Sequence, residues 1–99
     1  MQITTSIDEK LTTLSISGRI DTNTSSTLEA EITKALQSSR DLVLDFADVD
    51  HVSSAGFRVL LIGQKMSVSK QSSMKIINVS DYVRALFDMV GLLKVLIIE

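Results

Sequence analysis

Leu42-Val43-Leu44-Asp45-Phe46 is a short apolar run, broken only by Asp45, of the kind that forms a buried strand. Downstream, Phe57, Leu60, Leu61 and Gln64-Lys65 follow helical spacing with the apolar side chains on one stripe. A buried strand that leads into an amphipathic helix points to a layered fold of helices on a sheet. Between the two lies Asp50-His51-Val52-Ser53-Ser54-Ala55-Gly56, with two serines where the helix should begin. A serine there accepts a bond from an N–H that the first turn leaves unpaired. The same position favours negative charge, through the helix dipole and the free N–H groups. It is either a plain cap or a place suited to carry a phosphate.

The remaining segments extend the layered pattern. Ile3, Thr5 and Ile7 alternate with polar neighbours at strand spacing, and Asp8-Glu9-Lys10 is a break of hairpin length. Leu11 to Ser17 is β-rich and ends at Gly18. Gly18 to Ser26 is dense in turn and capping residues, and it leads into a helix striped by Leu28, Ile32, Ala35 and Leu36. Ser26 and Glu29 stand at capping-box spacing, and the helix is expected to end near Ser38-Ser39. After the strand at 42–46, the second helix should run to about Ser69, with Gly63 inside it. Met74 to Val79 reads as a strand. A third helix is capped by Ser80 or Asp81, turns Val83, Leu86, Phe87 and Val90 inward, and stops at Gly91. Val95 to Ile98 is expected to be a last strand. The order is β-β-α-β-α-β-α-β: an N-terminal hairpin, then alternation that implies parallel neighbours and right-handed crossovers.

Composition narrows the function. The 99 residues suit one domain spanning 1–99, and with 44% apolar but only 4% aromatic residues the core must be aliphatic. A net charge of -2 gives no electrostatic case for nucleic acid. The absence of cysteine removes disulfides, thiol catalysis and cysteine metal sites together. No secretory signal or membrane-length apolar run is seen, so a cytoplasmic protein without a membrane partner is expected. With four glycines and no proline there is no room for a glycine-rich phosphate loop or a flexible linker.

Three blocks together resemble the STAS domain of the bacterial anti-sigma factor antagonists. They are Ser17-Gly18-Arg19-Ile20-Asp21; Leu44-Asp45-Phe46 through Val52-Ser53-Ser54-Ala55-Gly56-Phe57-Arg58-Val59-Leu60-Leu61; and Val83-Arg84-Ala85-Leu86-Phe87-Asp88-Met89-Val90-Gly91-Leu92. Each alone is a weak signal, but their order and spacing over nearly the whole chain are specific. The resemblance implies an α/β fold of STAS type: a mixed sheet with helices packed on it. It also implies an adaptor in partner switching, not an enzyme, with no cofactor of its own. In that family the unmodified domain binds an anti-sigma factor, often itself a serine kinase, and so frees a sigma factor. Phosphorylation of one serine releases the complex, and a serine phosphatase restores it. By its place two residues before the motif glycine, that serine is Ser54 here. The best-known members carry aspartate immediately before it, where this chain has Ser53, and Ala55 fills a place often held by serine or threonine. The implied docking surface comprises Asp21, Thr22, Ser53, Ser54, Ala55 and Gly56, and ATP and magnesium would belong to the kinase.

Plainer readings stand beside these. Ser54 by itself is a helix cap, Asp21 a turn carboxylate, and Gly56 a point of close packing. Asp45, Asp48 and Asp50 read as solvated loop carboxylates, since their spacing suits no single metal loop. His51, the only histidine, reads as an exposed loop residue. Met89, Val90 and Leu92 are core by default, with a partner-facing shoulder as the alternative. Two other functions remain open: a non-switching STAS subunit of a lipid-transport or signalling scaffold complex, and a small α/β enzyme.

Overall fold

The computed structural model describes residues 1–38 and 40–99. The elements run β1 (Gln2–Ile7), β2 (Leu11–Ile20), α1 (Ser25–Gln37), β3 (Asp41–Val52), α2 (Ser54–Ser69), β4 (Met74–Ile77), α3 (Asp81–Met89) and β5 (Ile97–Ile98). This is the β-β-α-β-α-β-α-β order that the sequence pattern predicts. β1 and β2 form an antiparallel hairpin, and β2, β3, β4 and β5 are parallel neighbours in chain order.

That order decides where the helices lie. Three right-handed crossovers stepping in one direction place α1, α2 and α3 on a single face of the sheet. Register agrees: Leu14, Leu44 and Ile76 are cross-strand partners, as are Thr12, Leu42 and Met74, and all are buried. On the helix side, Leu28, Ile32 and Leu36 of α1 repeat every fourth residue and are buried. Phe46 of β3, Phe57 of α2 and Phe87 of α3 meet in one cluster. The rings of Phe57 and Phe87 are 5.1 Å apart edge to face, and those of Phe46 and Phe87 are 6.4 Å apart. Each ring contributes about 1.5–3 kcal/mol by burial, and all three phenylalanines of the chain stand at this one junction of sheet and helices. Gly63 lets α2 lie close to its neighbours. A Cβ there would stand 3.0 Å from both Ile32 Cγ2 of α1 and Met74 Sδ of β4.

Four local expectations are corrected. β3 does not stop at Phe46 but continues to Val52, so Asp48, Asp50 and His51, like Asp45 before them, are strand residues, not loop residues. The pairing with β2 slips twice, between Ser15 and Ser17 and between Gly18 and Arg19, each time with an additional residue on β3. Such bulges break the alternation by which a strand is recognised. Asp45 helps to hold the first one: its carboxylate accepts the Ala47 N–H at 3.0 Å and the Asn78 amide at 3.1 Å. The capping box at Ser26 and Glu29 does not form, because α1 begins from a turn closed by Asp21 and Thr24. Val90 is half exposed rather than inward. Val95 and Leu96 turn back on Leu92 instead of extending, with both N–H groups donating to the Leu92 carbonyl at 3.1 Å, which leaves β5 two residues long. The expected end of α1 meets Ser38 at the C-cap, while Ser39 lies outside the described residues.

Two helices end alike. At α3, Gly91 has φ +76°, its N–H donates to the Asp88 carbonyl, and the Leu92 N–H donates to Phe87. At α2 the same paired bonds run from Gln71 to Val68 and from Ser72 to Ser67, with Gln71 at φ +58°. Glycine adopts that conformation without cost, whereas a residue with a Cβ does not. Gln71→Gly is therefore expected to stabilise the protein by about 0.5–1 kcal/mol, read as a higher urea midpoint at unchanged slope.

Candidate functional site

The parallel strands β2, β3 and β4 all end at one edge of the sheet, and each leads there into a helix. The two stretches singled out by sequence lie next to each other on that edge. Their link is made of backbone: the Ser53 N–H donates to the Ile20 carbonyl at 2.8 Å, which ties the start of α2 to the end of β2. Asp21 follows Ile20 directly. The turn 21–24 and the Ser53–Ser54 corner are thus held side by side.

Gly56 sets how closely they approach. A Cβ there would lie 2.7 Å from Ile20 Cγ2, 2.8 Å from Val52 Cγ1 and 3.2 Å from the Ile20 carbonyl oxygen. Two of these neighbours are β-branched side chains with little rotamer freedom, and the third is backbone, so none yields easily. Gly56 is buried, and of the two readings of this glycine, close packing on the sheet is the one with a visible geometric cause.

The adjacent serines have different tasks. Ser53 is the N-cap of α2: it is extended, its carbonyl accepts from the Phe57 N–H at 3.0 Å, and its hydroxyl accepts a long 3.5 Å bond from Gly56 N–H. Ser54 is the first residue inside the helix. Its side chain is exposed, and no group among the described residues hydrogen-bonds its hydroxyl. The cap expected of Ser54 in the plainer reading therefore falls to Ser53. Thr22 is exposed, and Ala55 is half-buried.

Asp21 organises the neighbouring turn. Its Oδ1 accepts from the Asn23 N–H at 3.0 Å and the Thr24 N–H at 3.2 Å, and its carbonyl accepts the Ser25 N–H at 2.8 Å. The Thr24 hydroxyl accepts the Asp21 N–H at 2.9 Å and is shared as donor between the Arg19 carbonyl and Asp21 Oδ1. This is an Asx-type turn with the hydroxyl as its keystone. Partial burial pushes the Asp21 carboxyl up, but the bonds from Asn23 and Thr24, with the Arg19 guanidinium 4.0 Å away, together outweigh it and hold the group below its ordinary value.

A feature that sequence reasoning missed lies on the same edge. His51 Nδ1 is 3.1 Å from the Tyr82 hydroxyl, and the two rings are 6.0 Å apart. The two residues belong to different elements, so no local pattern along the chain signals the contact. Asp45, Asp48 and Asp50 form no metal cluster among the described residues, nor do any other acidic or histidine groups. Among those residues, no helix is long and apolar enough to cross a membrane.

The edge thus presents two short turns and an exposed hydroxyl side by side. The sequence matches the STAS domain over residues 2–99, and the chain belongs to that family. It is similar to BtrV of Bordetella bronchiseptica, described as an anti-sigma factor antagonist, with 30% identity over 81% of this chain and 70% of that one. Its fold is that of an anti-sigma factor antagonist from Mycobacterium paratuberculosis, with a TM-score of 0.86 and 22% identity over 98% of this chain and 83% of the other. It is also that of the antagonist SpoIIAA in its unphosphorylated form, with a TM-score of 0.83 and 16% identity over 99% and 88%.

Two outcomes follow from this geometry. Gly56→Ala is expected to cost about 1–3 kcal/mol of stability by denaturant titration, because Ile20 or the backbone must move. For Asp21, the lowered carboxyl favours the folded state above the ordinary value of 3.8, and that contribution disappears as pH falls through the lower folded-state value. Asp21→Asn should therefore be less stable than wild type at neutral pH, and the difference should shrink under acid, as followed by thermal unfolding across the acid range.

Proposed function

We propose that this chain is an anti-sigma factor antagonist that works by partner switching in the cytoplasm. Unmodified, it docks on an anti-sigma factor that is itself a serine kinase; phosphorylation at Ser54 ends the complex, and a serine phosphatase restores it. Asp21, Thr22, Ser53, Ser54, Ala55 and Gly56 are proposed to make up the docking edge, with Gly56 acting through shape. The chain supplies a surface and a substrate hydroxyl, and no chemistry of its own.

The observation that carries this reading is the exposed, unengaged Ser54 hydroxyl at the first position of α2. The description of BtrV supports the same reading. A phosphate adds about -1.5 to -2 charges and three acceptor oxygens. At the start of a helix it meets unpaired N–H groups and the positive end of the dipole, so the scaffold tolerates it. Because the cap is Ser53, esterifying Ser54 removes no bond that starts the helix. What changes is the surface: a neutral hydroxyl becomes a bulky anion on the same edge as the Asp21 carboxylate, and the two like charges repel an occupant matched to the unmodified form.

The test is phosphate transfer from the purified anti-sigma factor kinase of the same organism, with the site located by mass spectrometry. Wild type and Ser53→Ala should each take one phosphate on Ser54, and Ser54→Ala none, while keeping affinity for the kinase. The phosphorylated protein should bind at least about a hundredfold more weakly than the unmodified one, with an unchanged far-ultraviolet spectrum. Equal affinity of the two forms, or phosphate on another residue, refutes the proposal.

A further inference from the structure

We propose that Tyr82, tethered by His51, is an aromatic anchor for the same anti-sigma factor kinase, which extends the docking edge from the α2 corner to the start of α3. This rests on the antagonist reading of Ser54.

Placement comes first. β3 and β4 are parallel, hydrogen-bonded neighbours, and β3 runs on from Asp45, opposite the last residue of β4, to Val52. Residues 78–80 carry the chain from β4 to α3, whose second residue meets the end of β3. Tyr82 is the second residue of α3, and His51 is the residue before Val52, where β3 hands the chain to Ser53 and Ser54. The bond between His51 Nδ1 and the Tyr82 hydroxyl joins the two corners directly.

The fold has no need of this ring. α3 buries Val83 and Phe87, four residues apart on one stripe, and its cap is Ser80, whose hydroxyl accepts the Val83 N–H at 3.2 Å. Tyr82 lies off that stripe and is 57% exposed. An exposed tyrosine is ordinary by itself. This one is ordered as well, because a half-buried histidine holds its hydroxyl and the two rings lie 6.0 Å apart, tilted by 31°. A partner that covers such a ring gains apolar contact without first having to freeze a mobile side chain. Tyrosine is also among the residue types that dominate binding energy at the centre of interfaces. The occupant that fits is an apolar pocket on the kinase, set beside the groove that receives Ser54. His51 is a positioning residue: it orients the ring and is not itself the anchor.

The test is the dissociation constant of the purified anti-sigma factor kinase, measured by calorimetry with wild type, Tyr82→Ala, Tyr82→Phe, His51→Ala, the last two combined, and Ser54→Asp. Tyr82→Ala should weaken binding by about tenfold or more. Its unfolding midpoint should be unchanged; if alanine lowers it, Tyr82→Gln is read by the same criteria. Tyr82→Phe and His51→Ala should each weaken binding by about two- to fivefold, and the double variant no more than either alone, because each removes the same tether. If Tyr82→Ala binds within about twofold of wild type, the anchor is refuted, and a simultaneous loss with Ser54→Asp leaves the switch standing. Loss with Tyr82→Ala but none with either Ser54→Asp or the phosphorylated protein supports the anchor and refutes the switch. A wild-type protein that does not bind the kinase refutes both.

Discussion

The contact between Gly56 and the side chains of Ile20 and Val52 governs the geometry of the recognition edge. Because α2 has no Cβ at this point, its first turn settles onto the ends of β2 and β3. At that distance the Ser53 N–H donates to the Ile20 carbonyl, and that bond places the turn closed by Asp21 beside the first residues of α2. The site is thus built from backbone and core atoms. The side chains it presents to solvent are free to vary in chemistry without loss of the frame, and here they are hydroxyls and a carboxylate.

The division of work between two adjacent serines follows from that frame. A residue that caps a helix is engaged in the folded state, and altering it disturbs the helix start. A residue one position further on has helical backbone but a side chain that the helix does not use. In this chain Ser53 has the first role and Ser54 the second. Asp21 is likewise occupied: its carboxylate closes its own turn, and its charge still projects over the edge. Its hydrogen bonds close the turn, and its negative charge stands beside the start of α2.

Much of this was legible in the sequence. The alternation of strand and helix signals gave the element order, because each helix carries apolar residues at helical spacing and some boundaries are marked by a capping serine or terminal glycine, as at Ser80 and Gly91. The motif around Ser54 located the edge. What escaped notice depends on contacts between distant segments. The second half of β3 is held by pairing with β2, which leaves no local pattern, and its bulges disrupt the period of two. The capping box at Ser26 was a sound local signal overruled by the Asp21–Thr24 turn. The His51–Tyr82 pair joins residues from different elements, so nothing along the chain announces it.

The strand sequence β1-β2-β3-β4-β5 has one more consequence. No later strand is inserted between two earlier ones, so the sheet grows outward from the hairpin by accretion. Each strand after the first pairs with one that precedes it in the chain, so no pairing depends on a strand further downstream. Since every pairing partner is the preceding strand, the loops closed at each step stay short and the entropy lost in closing them stays small. The contacts that fix the corner at Ser53, from Ile20, Val52 and Gly56, all come from residues upstream of the last two strands.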